Sequence, residues 1–208
     1  MRHGGGARWP PASSDLAPLL VLAAGFAARL ALALGSFLNP DEALHDLLAS
    51  QASLGLAYRA ALTNAHPPLL ILVLYYWRSL GQSELMLRLP SVLAGTACCW
   101  LVYRWLEQVT DRSTAFIGLL LFCFAPALVE LSAEVRQYAL LLFFASACLY
   151  LAERALREDS WLLMGLFSLS LSYFEAPASF SAMAMAWRRL LTLPPLPPGP
   201  LFSSGHRK

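Results

Sequence analysis

The sequence predicts an all-α, polytopic membrane helical bundle. Composition is the first reason. Of 208 residues, 58% are hydrophobic and only 13% charged, with a mean hydropathy of +0.55. A soluble domain is about 45–50% apolar and about 25% charged. The second reason is the spacing of the charges, which leaves apolar stretches close to the roughly 20 residues a spanning helix needs. The third is the absence of any basic run at a net charge of +2, which argues against nucleic acid as a partner. Disordered chains and ordinary soluble enzymes are excluded on the same grounds.

Residues 1–15 form a short N-terminal segment carrying Arg2 and Arg8, with no acid before Asp15. The positive-inside rule places it in the cytoplasm. The first apolar stretch, 16–38, is long for a signal peptide and lacks a small-residue cleavage site, so it reads as a retained first transmembrane helix. Arg29 falls within it, and an intramembrane charge calls for a functional or paired role.

Residues 39–80 read as an outer loop with juxtamembrane helices. Asn39 can cap a helix, Pro40 suits the first helical position, and Asp41 and Glu42 fall in the first turn. Leu44, Leu47, Leu48 and Leu54 recur near helical spacing, as in an amphipathic helix lying on a membrane. The apolar run within 67–80 is short. It is either a short span or a helix at the membrane surface.

Residues 81–176 read as a transmembrane bundle with spans near 87–105, 113–131, 135–153 and 160–176. If 67–80 spans, Arg88 and Arg136 face the cytoplasm. If it does not, both face outward and the loops carrying Arg104/Arg112 and Arg154/Arg157 are cytoplasmic. Charge counting leaves both arrangements open, with a lean to the second. Residues 177–208 form a divergent tail whose LPPLPPGP run cannot be helical. Cys98, Cys99, Cys123 and Cys148 lie in apolar stretches without metal-ligand spacing and read as small buried hydrophobes.

Few residues remain to carry chemistry. The ionised pair Asp41-Glu42 at a helix N-terminus can serve either as capping acids or as a general base toward a hydroxyl. His66, before Pro67 and Pro68, marks a helix boundary or reaches a phosphate, metal or hydroxyl. Arg88 and Arg136 stand at span entrances, as interface anchors or as phosphate clamps. Walker A, GxSxG, HExxH and GxGxxG motifs are absent, so no soluble nucleotide site is expected.

Taken in order, PDEALH (40–45), HPPL (66–69), GQSELMLRLPS with Gly95, TDR (110–112) and SAEVRQYALLLFF (132–144) resemble one family. They are similar to the N-terminal half of GT-C membrane glycosyltransferases, in the bacterial branch related to dolichyl-phosphate-mannose protein mannosyltransferases and lipid A aminoarabinose transferases. The motifs extend over about 16–155 and fade after Tyr173.

The resemblance implies transfer of a sugar from a polyprenyl-phosphate donor, usually with inversion, at the outer face of the inner cell membrane. The acceptor would be a lipid, protein or polysaccharide, and membrane lipids would surround the site. It implies Asp41, with Glu42 beside it, as the catalytic carboxylate. It implies His66, Arg88, Arg136 and Tyr138 as substrate-binding residues. Some relatives bind a divalent metal, for which Asp41, His45 and His66 are the candidates here. Family members are typically much longer, so a truncated product, fragment or degenerate paralogue is expected. Two other classes compete. A small transporter subunit needs a polar path, to which only Arg29 contributes, and an inverted repeat, which is absent. A non-catalytic scaffold would tolerate loss of Asp41 and His66.

Overall fold

The computed structural model describes residues 15–64 and 67–158, with positions 160, 162, 165 and 166. All fall in one compact unit, Met1–Phe174. The N-terminal segment, His66, most of the span expected at 160–176 and the tail at 177–208 lie outside the described residues. Among the described residues the structure is entirely helical: α1 Leu16–Gly35, α2 Pro40–Ala49, α3 Leu54–Ala61, α4 Leu69–Trp77, α5 Glu84–Val109, α6 Arg112–Phe124, α7 Pro126–Ala133 and α8 Tyr138–Glu158.

Three of these are long and apolar enough to cross a membrane: α1, α5 and Tyr138–Ala155 of α8. The pair α6 and α7 makes a fourth if it is one span, bent by 54°. Long-range contacts fix how they alternate. Arg88, near the start of α5, reaches the carbonyls of Ala33 and Ser36 at the end of α1. Asp15 pairs with Arg112, and Arg157 donates to the Gln108 carbonyl. The end of α1, the start of α5, and the turn between α7 and α8 therefore share one end of the bundle.

That same end carries α2, α3 and α4. At nine residues, α4 is about 14 Å long, less than half the thickness of a bilayer's apolar core. It packs Leu70, Ile71 and Leu74 into a cluster with Ala49, Ala61, Leu87 and Val135. On α2 the buried residues are Glu42, His45 and Ala49, while Leu44 and Leu47 stay exposed. Helix α2 is thus turned with Glu42 and His45 inward and Leu44 and Leu47 outward, while Leu48 packs against the cluster.

The stretch expected as one span over 113–131 is broken at Ala125-Pro126. Proline lacks an N–H and its ring clashes with the preceding turn, so α6 stops at Phe124 and a new helix begins. Pro90 is treated differently. It sits inside α5, and the carbonyl it leaves unpaired, that of Met86, accepts a hydrogen bond from Trp77 Nε1 at 2.9 Å. Helix α5 runs through unbroken. All four cysteines are buried and stand outside any disulfide.

Candidate functional site

The site grows from the Asn39 cap. Asn39 Oδ1 accepts from the Glu42 amide, and Glu42 Oε2 accepts from the Asn39 amide, each at 2.9 Å. This is a complete capping box, which satisfies two otherwise unpaired helix-start donors reciprocally. It sets the rotation of α2. Successive helical residues point about 100° apart, so with Glu42 turned inward its neighbour Asp41 is turned out.

Glu42 is sealed in, at 1% exposure. Its Oε1 accepts from Arg88 Nε at 2.9 Å and from the Val135 amide at 2.7 Å. Its Oε2 accepts from Arg88 Nη2 at 2.8 Å as well as from Asn39. Burial pushes the Glu42 carboxyl up, but the hydrogen bonds from Arg88, Asn39 and Val135 and the charge of Arg88 outweigh it and hold the group below its usual range. Arg88 is equally committed. Beyond Glu42 it donates to the carbonyls of Ala33, Ser36 and Phe37, so all five of its N–H groups are used. None is left for a phosphate, and no lone pair of Glu42 is left for an acceptor proton. The geometry of both residues is that of a joint binding α1, α2, α5 and the segment after α7.

Asp41 occupies the open side of that joint, with its side chain 62% exposed, and pairs with Arg136. Arg136 is held from several directions. Its Nε lies 3.2 Å from Glu134 Oε2, and its carbonyl accepts from Ser91 Oγ at 3.4 Å. Burial lowers the Arg136 pKa, while Asp41, Glu134 and Tyr138 raise it further, and the net effect is upward. Tyr138 opens α8 beside it. Asp41, Arg136 and Tyr138 thus meet at one end of the bundle, Arg88 stands one residue inward through Glu42, and His66 lies outside the described residues.

His45 is 5% exposed. Its Nδ1 donates to the Asp41 carbonyl at 2.7 Å, and its Nε2 is buried without a partner. Asp46 pairs with Arg78 and stays out of the cluster. Among the described residues no group of three His, Cys, Asp or Glu side chains is placed to hold a metal ion; of the metal candidates Asp41, His45 and His66, Asp41 pairs with Arg136 and His66 lies outside the described residues. A cavity of about 570 Å³ lies at the other end of the bundle, between Asp15, Trp100, Arg104, Tyr150 and Arg154. Its Arg104 and Arg154 pair with Glu107 and Glu158.

The sequence reads Asp41 and Glu42 as a pair; the signal that could have separated them is the N-x-x-E spacing of Asn39 and Glu42, a capping-box pattern. Glu134 and Ser91, which hold Arg136, had no distinguishing signal in the sequence.

The described residues thus form a helical bundle with a carboxylate–guanidinium pair at one end of its apolar helices. Residues 65–186 match the family of dolichyl-phosphate-mannose-protein mannosyltransferases, and the chain belongs to this family of membrane glycosyltransferases. The matched region takes in His66, Arg88, Arg136 and Tyr138 and begins after PDEALH; it also extends past Tyr173, where the motif resemblance fades. No curated protein and no solved structure matches the chain.

Proposed function

We propose that the protein transfers a sugar from a polyprenyl-phosphate carrier to an acceptor hydroxyl or amine, at the face of the cell membrane where α2 meets the turn between α7 and α8. The observation that carries this reading is the ion pair of Asp41 with Arg136. It joins an exposed carboxylate to a guanidinium at a bundle end where lipid headgroups would lie. The family description names a lipid-phosphate sugar as donor, which supports the same class of substrate.

In this reading the donor phosphate competes with Asp41 for Arg136, because a guanidinium binds phosphate in a two-pronged geometry. Asp41, once released, accepts the proton of the acceptor. The acceptor atom bonds to the anomeric carbon, the bond from that carbon to the phosphate oxygen breaks, and the electron pair leaves on the polyprenyl phosphate beside Arg136. Tyr138 lines the phosphate side, and His66 is assigned to the donor or acceptor. Glu42 and Arg88 position Asp41 and the Arg136 segment without touching substrate. The membrane would be the inner membrane, crossed several times, with the Asp41 end outward.

The test is reconstitution of the full chain in proteoliposomes with a panel of labelled polyprenyl-phosphate hexoses and pentoses, following release of polyprenyl phosphate. Turnover that falls by at least about 100-fold in Asp41→Asn supports the assignment, that being the low end of general-base contributions. Turnover unchanged in that variant removes Asp41 as the base, and no turnover with any donor overturns the proposal.

A further inference from the structure

Arg29 lies within α1, 1% exposed, and none of its hydrogen bonds goes to a carboxylate. Its Nη1 donates to the carbonyl of Cys123 at 2.9 Å and of Gly25 at 3.0 Å. Its Nη2 donates to the carbonyl of Phe122 at 3.1 Å and to Cys99 Sγ at 3.3 Å. The Phe122 carbonyl is the one that Pro126 would serve in a continuous helix, and proline has no N–H to give. Arg29 therefore supplies, across from another helix, the donors that the break removes from the end of α6. A cation there also suits the negative end of the helix dipole.

The surroundings are cut to fit this arrangement. A Cβ at Gly25 would stand 2.9 Å from Cys123 Cβ and 3.4 Å from Arg29 Nη1, so only glycine lets α1 approach α6 this closely. A Cβ at Gly95 would collide with Ser132 on α7 and lie 3.4 Å from Arg29 Nε. One guanidinium thus sits among α1, α5 and α6 at the level of the bend, and α7 seats directly on α5. From the break, α7 runs only eight residues before Glu134, Val135 and Arg136.

We infer that Arg29 is a positioning residue for the transfer site: by capping the α6 end that Pro126 leaves open it fixes the bend, and so places Arg136 against Asp41. The kinetic part of this rests on the proposed transfer reaction; the placement of Arg136 does not. Arginine's planar fork reaches two adjacent carbonyls at once, which neither lysine nor glutamine can reproduce.

Two cysteine pairs in the full chain, in lipid nanodiscs, test the inference. Asp41→Cys with Arg136→Cys reports the site, and Asp15→Cys with Arg112→Cys reports the opposite end of the bundle. Disulfide formation under a mild oxidant is compared with single-cysteine controls. In Arg29→Gln and Arg29→Lys backgrounds the site pair is expected to cross-link several-fold more slowly while the distal pair is unchanged. With the native Asp41 and Arg136 restored, both Arg29 variants are expected to lose about 100-fold in transfer rate, the scale of an ångström-sized misplacement. An unchanged site pair overturns the inference. Equal loss at both pairs in both variants also overturns it, because Arg29 would then hold the whole bundle rather than the bend. If the cross-links behave as expected but the unsubstituted chain transfers no sugar, the transfer reading fails and the positioning role stands.

Discussion

Glu42 and Arg88 meet side-on, Nε to Oε1 at 2.9 Å and Nη2 to Oε2 at 2.8 Å, with each residue 1% exposed. With its remaining hydrogen bonds the pair ties together α1, α2, α5 and the segment after α7. Buried ion pairs of this kind contribute little net stability over a well-packed apolar replacement, because both ions are first stripped of water. Their cost appears when one partner is lost. Arg88→Met is therefore expected to destabilise the chain by about 3–5 kcal/mol, and Glu42→Gln by a similar amount. The double variant should lose less than the sum of the two, since neither charge is then left alone. Unfolding in mixed micelles measures all three. Additive losses would show that the two side chains do not act as a unit.

The same pair sets an acid limit on the fold. The Glu42 carboxyl is held below its usual range in the folded chain, so the folded state binds fewer protons there than the unfolded one. Its contribution is complete above the unfolded value, about pH 4.3, and is lost as pH falls through the lower folded value. The melting temperature of the wild type should drop on acidification through this window. Glu42→Gln should start lower and show a flatter acid limb. An equally steep limb in the variant would place the titrating group elsewhere.

Asp41 and Asp46 separate catalysis from packing. Both are on α2 and both are ion-paired, to Arg136 and Arg78 respectively. An exposed pair is worth about 0–1 kcal/mol; Asp41 is open to solvent while Asp46 and Arg78 are half-buried, so Asp46→Asn should cost at least as much stability as Asp41→Asn. Only Asp41→Asn should abolish transfer, by about 100-fold or more. Asp46→Asn should retain activity within a few-fold. Equal loss in both would mean that the acidic face of α2 matters for folding rather than for proton transfer.

Much of this arrangement is written locally in the chain. The helix start at Pro40, the brevity of α4 and the long apolar helices follow from caps, prolines and charge spacing, all short-range signals. The break at Pro126 was also written there, yet an apolar run on both sides hides a proline from hydropathy. Arg29 illustrates what sequence leaves open. Its isolation among apolar residues marks it as paired, but the two acceptors that tie it to α6 are backbone carbonyls more than ninety positions away, and every residue type presents the same carbonyl. Asp41 and Glu42 were indistinguishable by composition alone. Their difference comes from a 100° rotation fixed by Asn39, and from Val135, whose contribution is an amide that no side-chain pattern announces.

Trp77 and Pro90 make the last prediction, on the same physical basis as Arg29 and Pro126. Pro90 leaves the Met86 carbonyl without its helical donor, and Trp77 Nε1 fills the place. Trp77→Phe keeps the aromatic bulk and removes only the N–H, leaving a half-buried carbonyl unpaired at a cost of about 1–3 kcal/mol. Pro90→Ala restores the backbone donor within α5, so the indole becomes redundant. In the Pro90→Ala background Trp77→Phe should therefore cost well under 1 kcal/mol, and the difference between backgrounds is the coupling energy of the pair. Unfolding of the four chains in mixed micelles gives it directly. If Trp77→Phe costs the same with and without Pro90, the indole acts through packing on α5, and the proline is tolerated for some other reason.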